Sequence, residues 1–340
     1  MLVEQKQVKE EIEDKEELLK AKEKSSTNNV LKWISQNFKF LLIPASRLDE
    51  LTLRQADYEK LKSKRNFSRL FKSPLTVVGL TIIFCFVSLA IFGHWISPYT
   101  FEEANGVFPG TYNPPSPNHL FGTMMLGRDV LARMIFGTYS SLTIALPSVV
   151  ISVVLGVSIG TFSAYSGGWI DSVIMRIMDI FLAFPGLILA MVLIQLWGQR
   201  IEIIMTVWGF MGVPFYARLI RGSVLQAKNL PYVDAAKTVG ASKFRIMFRH
   251  ILPNCIQPII VSFTFDIGSA VLNLAALAFL GFYDPNMIEW GHDISYNRIF
   301  LYNAPWASLG PGFMIVIYVL GFMLIGDGIR DYIDPKLKNL

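Results

Sequence analysis

Long apolar stretches alternate with short polar segments along most of the chain. Each stretch is long enough for a helix to cross about 30 Å of hydrocarbon, which takes about 20 residues. The stretches cover roughly residues 75–97, 139–165, 174–197, 201–220, 256–282 and 307–326. This pattern predicts an all-α polytopic membrane protein with six transmembrane helices.

The lengths of the connections between the predicted spans differ widely. Only residues 198–200 separate the third span from the fourth, which also contains Pro214. This spacing predicts a tight hairpin whose turn faces the outside. Residues 98–137 and 283–306 are long connections, and loops of that length usually act as lids or binding surfaces.

The composition agrees with a membrane location. Apolar and aromatic residues make up 52% of the chain and charged residues only 17%, whereas a soluble domain carries about a quarter charged residues. The net charge of +5 by itself could indicate a nucleic-acid partner. The positions of the basic residues, described next, argue against a nucleic-acid partner.

Most basic residues after position 61 lie on one side of the predicted spans. Residues 62–73, Arg176, the segment 218–250 and the tail contain sixteen Lys and Arg, and the opposite set of segments contains four. By the positive-inside rule, this asymmetry predicts that both termini and the loop at 218–254 are cytoplasmic. We therefore expect no nucleic-acid partner.

The polar regions divide the chain into four parts. Residues 1–60 form a charged extension, predicted as a solvated cytoplasmic helix or, alternatively, as a docking arm for a partner. Residues 61–74 mix apolar residues with cations, which predicts an amphipathic helix lying on membrane lipid. Residues 75–330 form the six-span domain, and residues 331–340 form a cytoplasmic tail. The first 30 residues lack the apolar stretch of a signal peptide, so insertion is expected to begin with an internal span.

The sequence lacks the motifs of several catalytic and metal sites. No G-x-x-x-x-G-K-[ST] loop occurs, so we expect no ATP hydrolysis by that route on this chain. The four histidines are scattered without an H-E-x-x-H motif, and no G-x-S-x-G elbow is present. Cys85 and Cys255 lie in or beside apolar stretches, which argues against a disulfide framework. We therefore expect a non-catalytic protein without a metal site or a cofactor.

Few ionisable residues lie within the predicted spans. We assign Asp179, Asp266 and Asn273 to a transport pathway or a subunit interface. A charge facing lipid is costly, so Asp266 is expected to face a water-filled path or to pair with a neighbouring subunit. An ion-coupled secondary carrier would need such residues, but one isolated carboxylate is a thin basis for it. A membrane scaffold without transport is a third alternative.

The loop before the fifth span, ARLIRGSVLQAKNLPYVDAAKTVGASKFRIMFRHILPN, is the most informative segment. Pro231 can open a short helix, whose small residues would let the surface of another protein approach closely. These small residues are Ala235, Ala236, Gly240 and Ala241. A second, basic and aromatic helix follows and stops at Pro253. This arrangement predicts a mechanical lever, and a merely positive-inside loop is the alternative.

At these residues the sequence resembles the permease subunits of bacterial ATP-binding-cassette (ABC) importers, whose signature is E-A-A-x3-G-x9-I-x-L-P. The matching positions are Asp234, Ala235, Ala236, Gly240, Leu252 and Pro253. Asp234 replaces Glu and His250 replaces Ile, and both departures are familiar in the dipeptide and oligopeptide branch. The resemblance covers most of residues 65–338, and the closing GDGIRDYIDPKL is similar to the C-type of the two permeases.

The resemblance implies a type I ABC importer permease fold in the bacterial plasma membrane. The implied partners are a homologous second permease, two ABC ATPases that carry ATP and Mg²⁺, and an extracytoplasmic peptide-binding protein. The implied substrate is an oligopeptide or dipeptide, with nickel or another small solute as the alternative. The residues implied to couple to an ATPase are Pro231, Tyr232, Asp234, Ala235, Ala236, Gly240, Ala241, Arg245, His250, Leu252 and Pro253.

The same scheme implies that the two long connections meet the binding protein. We expect Arg128, Asp129, Glu289 and Trp290 to be contacts. Alternatively, Arg128 and Asp129 only hold the fold of their own loop.

Overall fold

The computed structural model describes residues 73–333, which form a bundle of helices. The predicted extension at 1–60, the interfacial helix up to residue 72 and the tail beyond 333 lie outside the described residues. The helices are α1 (Pro74–Ile96), α2 (Phe101–Asn105), α3 (Val130–Ser166), α4 (Gly168–Ala183), α5 (Gly186–Trp197), α6 (Ile201–Ala227), α7 (Pro231–Thr238), α8 (Lys243–Arg245), α9 (Leu252–Cys255), α10 (Gln257–Phe279), α11 (Trp290–Asn297) and α12 (Trp306–Ile333). A π-helical turn, Ile246–Ile251, joins α8 to α9.

Five of these helices, α1, α3, α6, α10 and α12, are long and apolar enough to cross a membrane. Helices α4 and α5 reach that length only together, and they are bent by 88° where they meet. The third predicted span, residues 174–197, is therefore two helices rather than one. The break lies at Pro185, because a proline restricts the preceding residue to extended backbone, and Phe184 has φ −93° and ψ 140°. The six-span prediction holds with this pair counted as one broken crossing.

Two helices extend beyond their predicted bounds. Helix α3 begins at Val130, inside the segment 98–137 that was expected to be a loop, because the Asp129 carboxylate caps it by accepting the Ala132 N–H at 2.8 Å. Helix α6 continues to Ala227 and takes in the first turns of the predicted loop at 218–254. Both helices therefore extend past their apolar stretches and include charged residues, namely Arg133 in α3 and Arg221 in α6.

Helices α3 and α6 form the most extensive helix pair in the described bundle. Small residues allow the two backbones to approach closely, as is usual between membrane helices. The Ser148 hydroxyl donates to the Met205 carbonyl at 2.9 Å, and the Ser152 hydroxyl donates to the Gly209 carbonyl at 2.6 Å. These hydrogen bonds fix the register of the two helices.

An aromatic cluster joins α1, α11 and α12 in the core. The rings of Phe86 and Tyr318 lie 5.2 Å apart in an edge-to-face arrangement, and Trp290 lies 6.1 Å from Phe86. Such pairs stabilise a core by about 0.5–1.5 kcal/mol beyond burial of their area. The cluster places α11 inside the bundle although α11 lies between two spans.

The connections gather at two ends of the described bundle. Residues 97–129 and 280–305 lie at one end, together with the predicted tight hairpin at 198–200. There the Ile201 N–H donates to the Asp284 carboxylate at 3.1 Å. We call this the long-loop end. The opposite end, residues 228–256 with the junction of α3 and α4, is the short-helix end.

Candidate functional site

At the short-helix end, the sequence fixes where α7 begins and stops. Pro231 occupies the first turn, where its missing N–H costs nothing. Beyond Thr238 the backbone reverses at Gly240, whose φ of +77° is a conformation that favours glycine. The Ser242 hydroxyl then accepts the Arg245 N–H and starts α8. The segment predicted to act as a lever is thus a short helix bounded by sharp turns.

Helix α7 has one face in the core and one face exposed. Val233 and Ala236 are buried among residues of α6, the π-helical turn and α10. Ala236 therefore packs against its own chain, which differs from the expectation that all the small residues face a partner. Asp234 and Ala235 are exposed, and so is Val239, with 84% of its surface accessible.

The other predicted coupling residues surround this helix. Tyr232, Ala241, His250 and Leu252 are half-buried. Pro231, Gly240, Arg245 and Pro253 are exposed. Phe244 is 69% exposed, a position that the sequence analysis did not single out. We define the projecting surface as Asp234, Ala235, Thr238, Val239, Gly240 and Phe244, all of which are exposed.

The candidate polar residues of the spans each have a partner within the chain. The Tyr216 hydroxyl of α6 donates to the Asp266 carboxylate of α10 at 3.0 Å. Arg218 of α6 contacts Asp179 of α4. The Asn273 amide donates to the Ser269 carbonyl one turn earlier at 2.8 Å. The partner of Asp266 in this structure is therefore a residue of its own chain.

A second ion pair between α4 and α6 was not anticipated from the sequence. Arg221 donates twice to the Asp171 carboxylate, at 2.8 and 2.6 Å, and the Ser163 hydroxyl donates to the same carboxylate at 2.6 Å. Both partners lie near span ends, where charged residues are common, so the sequence carried no signal for the pairing.

The long-loop end contains a buried ion pair that the sequence analysis also missed. The Arg133 guanidinium of α3 donates to the Asp293 carboxylate of α11 at 2.6 Å, and the two side chains are 1% and 3% exposed. Arg133 also donates to the Ala104 carbonyl at 3.0 Å. Burial by itself would raise the pKa of the Asp293 carboxyl, but Arg133 and His292 outweigh burial and lower it. The pair ties three segments of this end together.

The predicted binding-protein contacts lie in or under this end. Glu289 and Trp290 are buried, and the Trp290 indole donates to the Met134 carbonyl at 3.1 Å. Neither side chain can touch a soluble partner in this conformation, which corrects that expectation. Burial, with Asp293 and Asp284 nearby, raises the pKa of Glu289 to about 8.

Arg128 and Asp129 support their own loop. Arg128 is half-buried and donates to the Asn105 and Gly106 carbonyls, both at 2.9 Å. Asp129 is buried, caps α3 and contacts His119 at 2.9 Å. These contacts agree with the alternative interpretation, in which Arg128 and Asp129 hold the fold of their own loop. More exposed apolar side chains lie nearby, namely Val107, Leu120, Ile299 and Tyr302.

Within residues 73–333, no group of three or more His, Cys, Asp or Glu side chains is arranged to hold a metal ion. A cavity of about 510 Å³ at the long-loop end is lined by Tyr99, Glu103, His119 and Asp129 among others. The polar groups in it are engaged in capping and stacking. These contacts hold the loop in place.

Comparisons with known proteins agree with this architecture. Residues 152–339 match the family described as binding-protein-dependent transport system inner membrane component. Residues 63–115 match the N-terminal TM domain of oligopeptide transport permease C. The first match includes the loop at 218–254 and the closing GDGIRDYIDPKL, on which the sequence resemblance was based.

Individual relatives are similar over most of their length. The dipeptide transport system permease protein DppC of Alkalihalophilus pseudofirmus is 40% identical over 274 residues, which are 80% of this chain and 90% of that protein. The glutathione transport system permease protein GsiD of Pectobacterium atrosepticum is 35% identical over 277 residues, 81% of this chain and 92% of that protein. An inward-facing structure of the MetNI methionine ABC transporter has a TM-score of 0.50 at 18% identity, covering 60% of this chain and 97% of the chain compared. That likeness concerns the fold alone.

Proposed function

Since this chain belongs to the family of binding-protein-dependent transport system inner membrane components, we propose that it forms half of a translocation path for oligopeptides or dipeptides. It is a non-catalytic, multi-pass permease subunit of the bacterial inner membrane. It works in an ABC importer together with an ATPase and a binding protein. The other half of the path is a homologous second permease, and two ATPase subunits bind ATP and Mg²⁺.

The projecting surface carries the coupling part of this proposal. Its exposed apolar side chains, Val239 and Phe244, lie at the short-helix end outside the spanning segments of α6 and α10. The buried face of α7 packs on the π-helical turn, in a core cluster that also includes residues of α6, so a push on α7 would reach a spanning helix through this cluster. We propose that an ATPase subunit receives this surface in a groove and that closure of the ATPases rocks the spans.

Two features support a second permease beside this one. The bent pair α4 and α5 leaves most of its large apolar side chains exposed, among them Ile180, Phe184 and Leu196. Helices α3 and α6 pack closely against each other, so we propose that the path lies between two bundles rather than between these two helices. A path between two such bundles can alternate between outward and inward access by rigid-body motion.

The substrate class rests on the relatives. Permeases named for dipeptide and glutathione transport are 40% and 35% identical to this chain. A peptide path must tolerate many side chains, and exposed Phe and Met residues give adaptable apolar walls. Nickel or another small solute is the alternative substrate, since the binding protein selects what the permease receives.

We also propose that both termini and the short-helix end are cytoplasmic, as the distribution of Lys and Arg favours. The long-loop end then faces the binding protein. Its exposed side chains, such as Val107, Leu120 and Tyr302, are the better candidates for direct contact. Arg128, Asp129, Glu289 and Trp290 would support that surface from below.

The proposal is tested by purifying the tagged chain gently from native membranes and identifying its partners by mass spectrometry. We expect a second six-span permease and two P-loop ATPases, and ATP-dependent uptake of a labelled dipeptide after reconstitution with the binding protein. ATP-dependent uptake of nickel but not of peptides would favour the alternative substrate. A chain that is recovered alone and transports solute without ATP would contradict the proposal.

A further inference from the structure

The two ion pairs between α4 and α6 differ in their surroundings. Arg221 binds Asp171 through two nitrogens, and Asp171 is buried and also accepts the Ser163 hydroxyl. Arg218 contacts Asp179 through one guanidinium nitrogen, and the two side chains are 49% and 51% exposed. The first pair already ties the helices together. The second pair leaves hydrogen-bonding capacity open on both charged groups.

The length of α6 places the backbone of Arg218 inside the hydrocarbon layer. Helix α6 has 27 residues, so it is about 40 Å long and exceeds the hydrocarbon thickness by about 10 Å. Arg218 precedes the last residue of the helix, Ala227, by nine positions, which is about 14 Å along the axis. Arg218 is therefore within the hydrocarbon even if the whole excess lies at the short-helix end.

A second polar contact lies at a comparable depth. Asp266 follows the first residue of α10, Gln257, by nine positions and accepts the Tyr216 hydroxyl of α6. A charged group that faces lipid is costly. Charged groups within membrane spans therefore typically face a bundle interior or a water-filled cavity. The half-exposed Asp179 and Arg218 are thus expected to face water or protein in the assembled importer.

We propose that Asp179 and Arg218 line the translocation path and bind the two ends of a zwitterionic peptide in transit. The peptide ammonium binds Asp179 while the peptide carboxylate binds Arg218, so that two new ion pairs replace the internal one. This inference rests on the proposed peptide function.

The chemistry suits a transport path. Replacing one ion pair by two equivalent ones costs little, and a site in a path must hold its ligand weakly enough to release it. Without a peptide, the internal pair neutralises both charges. The ammonium and carboxylate are common to all peptides, so the site would accept many side-chain sequences.

The test uses the complete reconstituted importer and two probes, Ala-Ala and its C-terminal amide. In Arg218→Gln, the ratio of Ala-Ala uptake to amide uptake is expected to fall about tenfold relative to the unaltered importer, because only Ala-Ala has the carboxylate. Dividing by the ratio for the unaltered importer cancels the preference of the binding protein. In Asp179→Asn, uptake of Ala-Ala is expected to fall more than uptake of N-acetyl-Ala-Ala.

The buried pair supplies the matched control. Arg221→Gln removes the same charge from the same helix and is expected to reduce uptake of both probes by one common factor. An unchanged ratio in Arg218→Gln would overturn the inference, whether or not total uptake falls. If the unaltered importer takes up neither probe with ATP, the proposed function itself fails and this inference fails with it.

Water access is measured separately in the assembled importer. With Cys85 and Cys255 replaced by Ala, Asp179→Cys should react with a membrane-impermeant thiol reagent. Phe84→Cys, at an exposed apolar position of α1, should not react. Failure of position 179 to react would place it against lipid or a sealed interface and would overturn the inference.

Discussion

At the residue scale, the long-loop end depends on charges that are far from water. Arg133 and Asp293 are separated by 160 positions in the chain, and both are buried. A buried charge left without its partner is destabilising, whereas an apolar replacement of both partners is often tolerated. This asymmetry makes the pair a sensitive probe of how α3 and α11 are joined.

Breaking the pair should destabilise the protein strongly. Asp293→Asn or Arg133→Met is expected to cost about 3–5 kcal/mol, since each leaves a buried charge uncompensated. The double variant Arg133→Met with Asp293→Leu should cost less than the sum of its single variants. Thermal unfolding of the purified chain measures this, with Arg176→Met, at an exposed position of α4, as the control. Additive losses in the double variant would contradict the expectation.

Glu289 should make stability depend on pH. Its pKa is raised from 4.5 to about 8 by burial and by neighbouring carboxylates, so the folded chain binds this proton more tightly than the unfolded chain. Between these two values the folded state holds more protons, and stability therefore falls as pH rises.

Glu289→Gln should remove that dependence. Its Tm relative to the unaltered chain is expected to be higher by about 3 °C or more near pH 9 than near pH 5. Glu102→Gln, at an exposed position of α2, is the control and should show no such trend. Equal pH profiles for the Glu289→Gln and unaltered chains would refute the role of this carboxyl.

At the scale of elements, the bundle is organised by close helix contacts and by short helices with sharp ends. Gly160 of α3 faces the backbone of α6 at Ala217, and a Cβ added there would overlap the Ala217 carbonyl oxygen. Gly222 of α6 has no heavy atom within 4 Å of an added Cβ. The two glycines therefore differ in packing although both lie in helices.

Gly160→Ala should loosen the α3 and α6 pair, at a cost of about 1–3 kcal/mol for overpacking. Gly222→Ala should leave the Tm unchanged or raise it slightly, since alanine is the better helix former. Thermal unfolding of both variants provides the comparison. A Gly160→Ala variant as stable as the unaltered chain would mean that the two helices separate readily.

The turn after α7 gives a second prediction at this scale. The Cβ of Gly240→Leu has no heavy atom within 4 Å, but the residue is strained in the left-handed conformation. The Leu side chain would project into whatever contacts the projecting surface. We expect normal insertion and a loss of ATP-dependent uptake of at least about tenfold. Gly281→Leu imposes similar strain at the long-loop end, with φ +93° and open space. Normal uptake by Gly240→Leu would contradict the proposed coupling surface.

At the scale of the whole molecule, the proposed orientation in the membrane rests on charge rather than on packing. With Cys85 and Cys255 replaced by Ala, Thr111→Cys at the long-loop end should react with an impermeant thiol reagent added to intact cells. Asn229→Cys at the short-helix end should react only after the membrane is opened, since the basic segments favour the cytoplasm. The reverse pattern would overturn the proposed topology.

The family and the spans could be read directly from the sequence. An apolar stretch of about 20 residues is a local property, and the bilayer acts on it wherever it occurs. The motif from Asp234 to Pro253 is likewise a local pattern. In the fold it forms a short helix, a turn and a second helical segment. The break in the third span could also have been predicted from the sequence, because Pro185 lies within that apolar stretch.

Other features depended on the tertiary structure. The burial of Trp290, the pairing of Arg133 with Asp293 and the contact of Asp179 with Arg218 join residues that lie far apart in the chain. The start of α3 at Val130 depends on the Asp129 cap, and the length of α6 accommodates two arginines that have partners on α4. Hydropathy is an average over neighbouring residues in the chain. Ion pairs and burial depend instead on which helices pack against each other. The sequence by itself therefore determined the class, the number of crossings and the motif from Asp234 to Pro253. Only the packed bundle decided how sharply the third crossing bends, which charges are paired and which side chains are exposed.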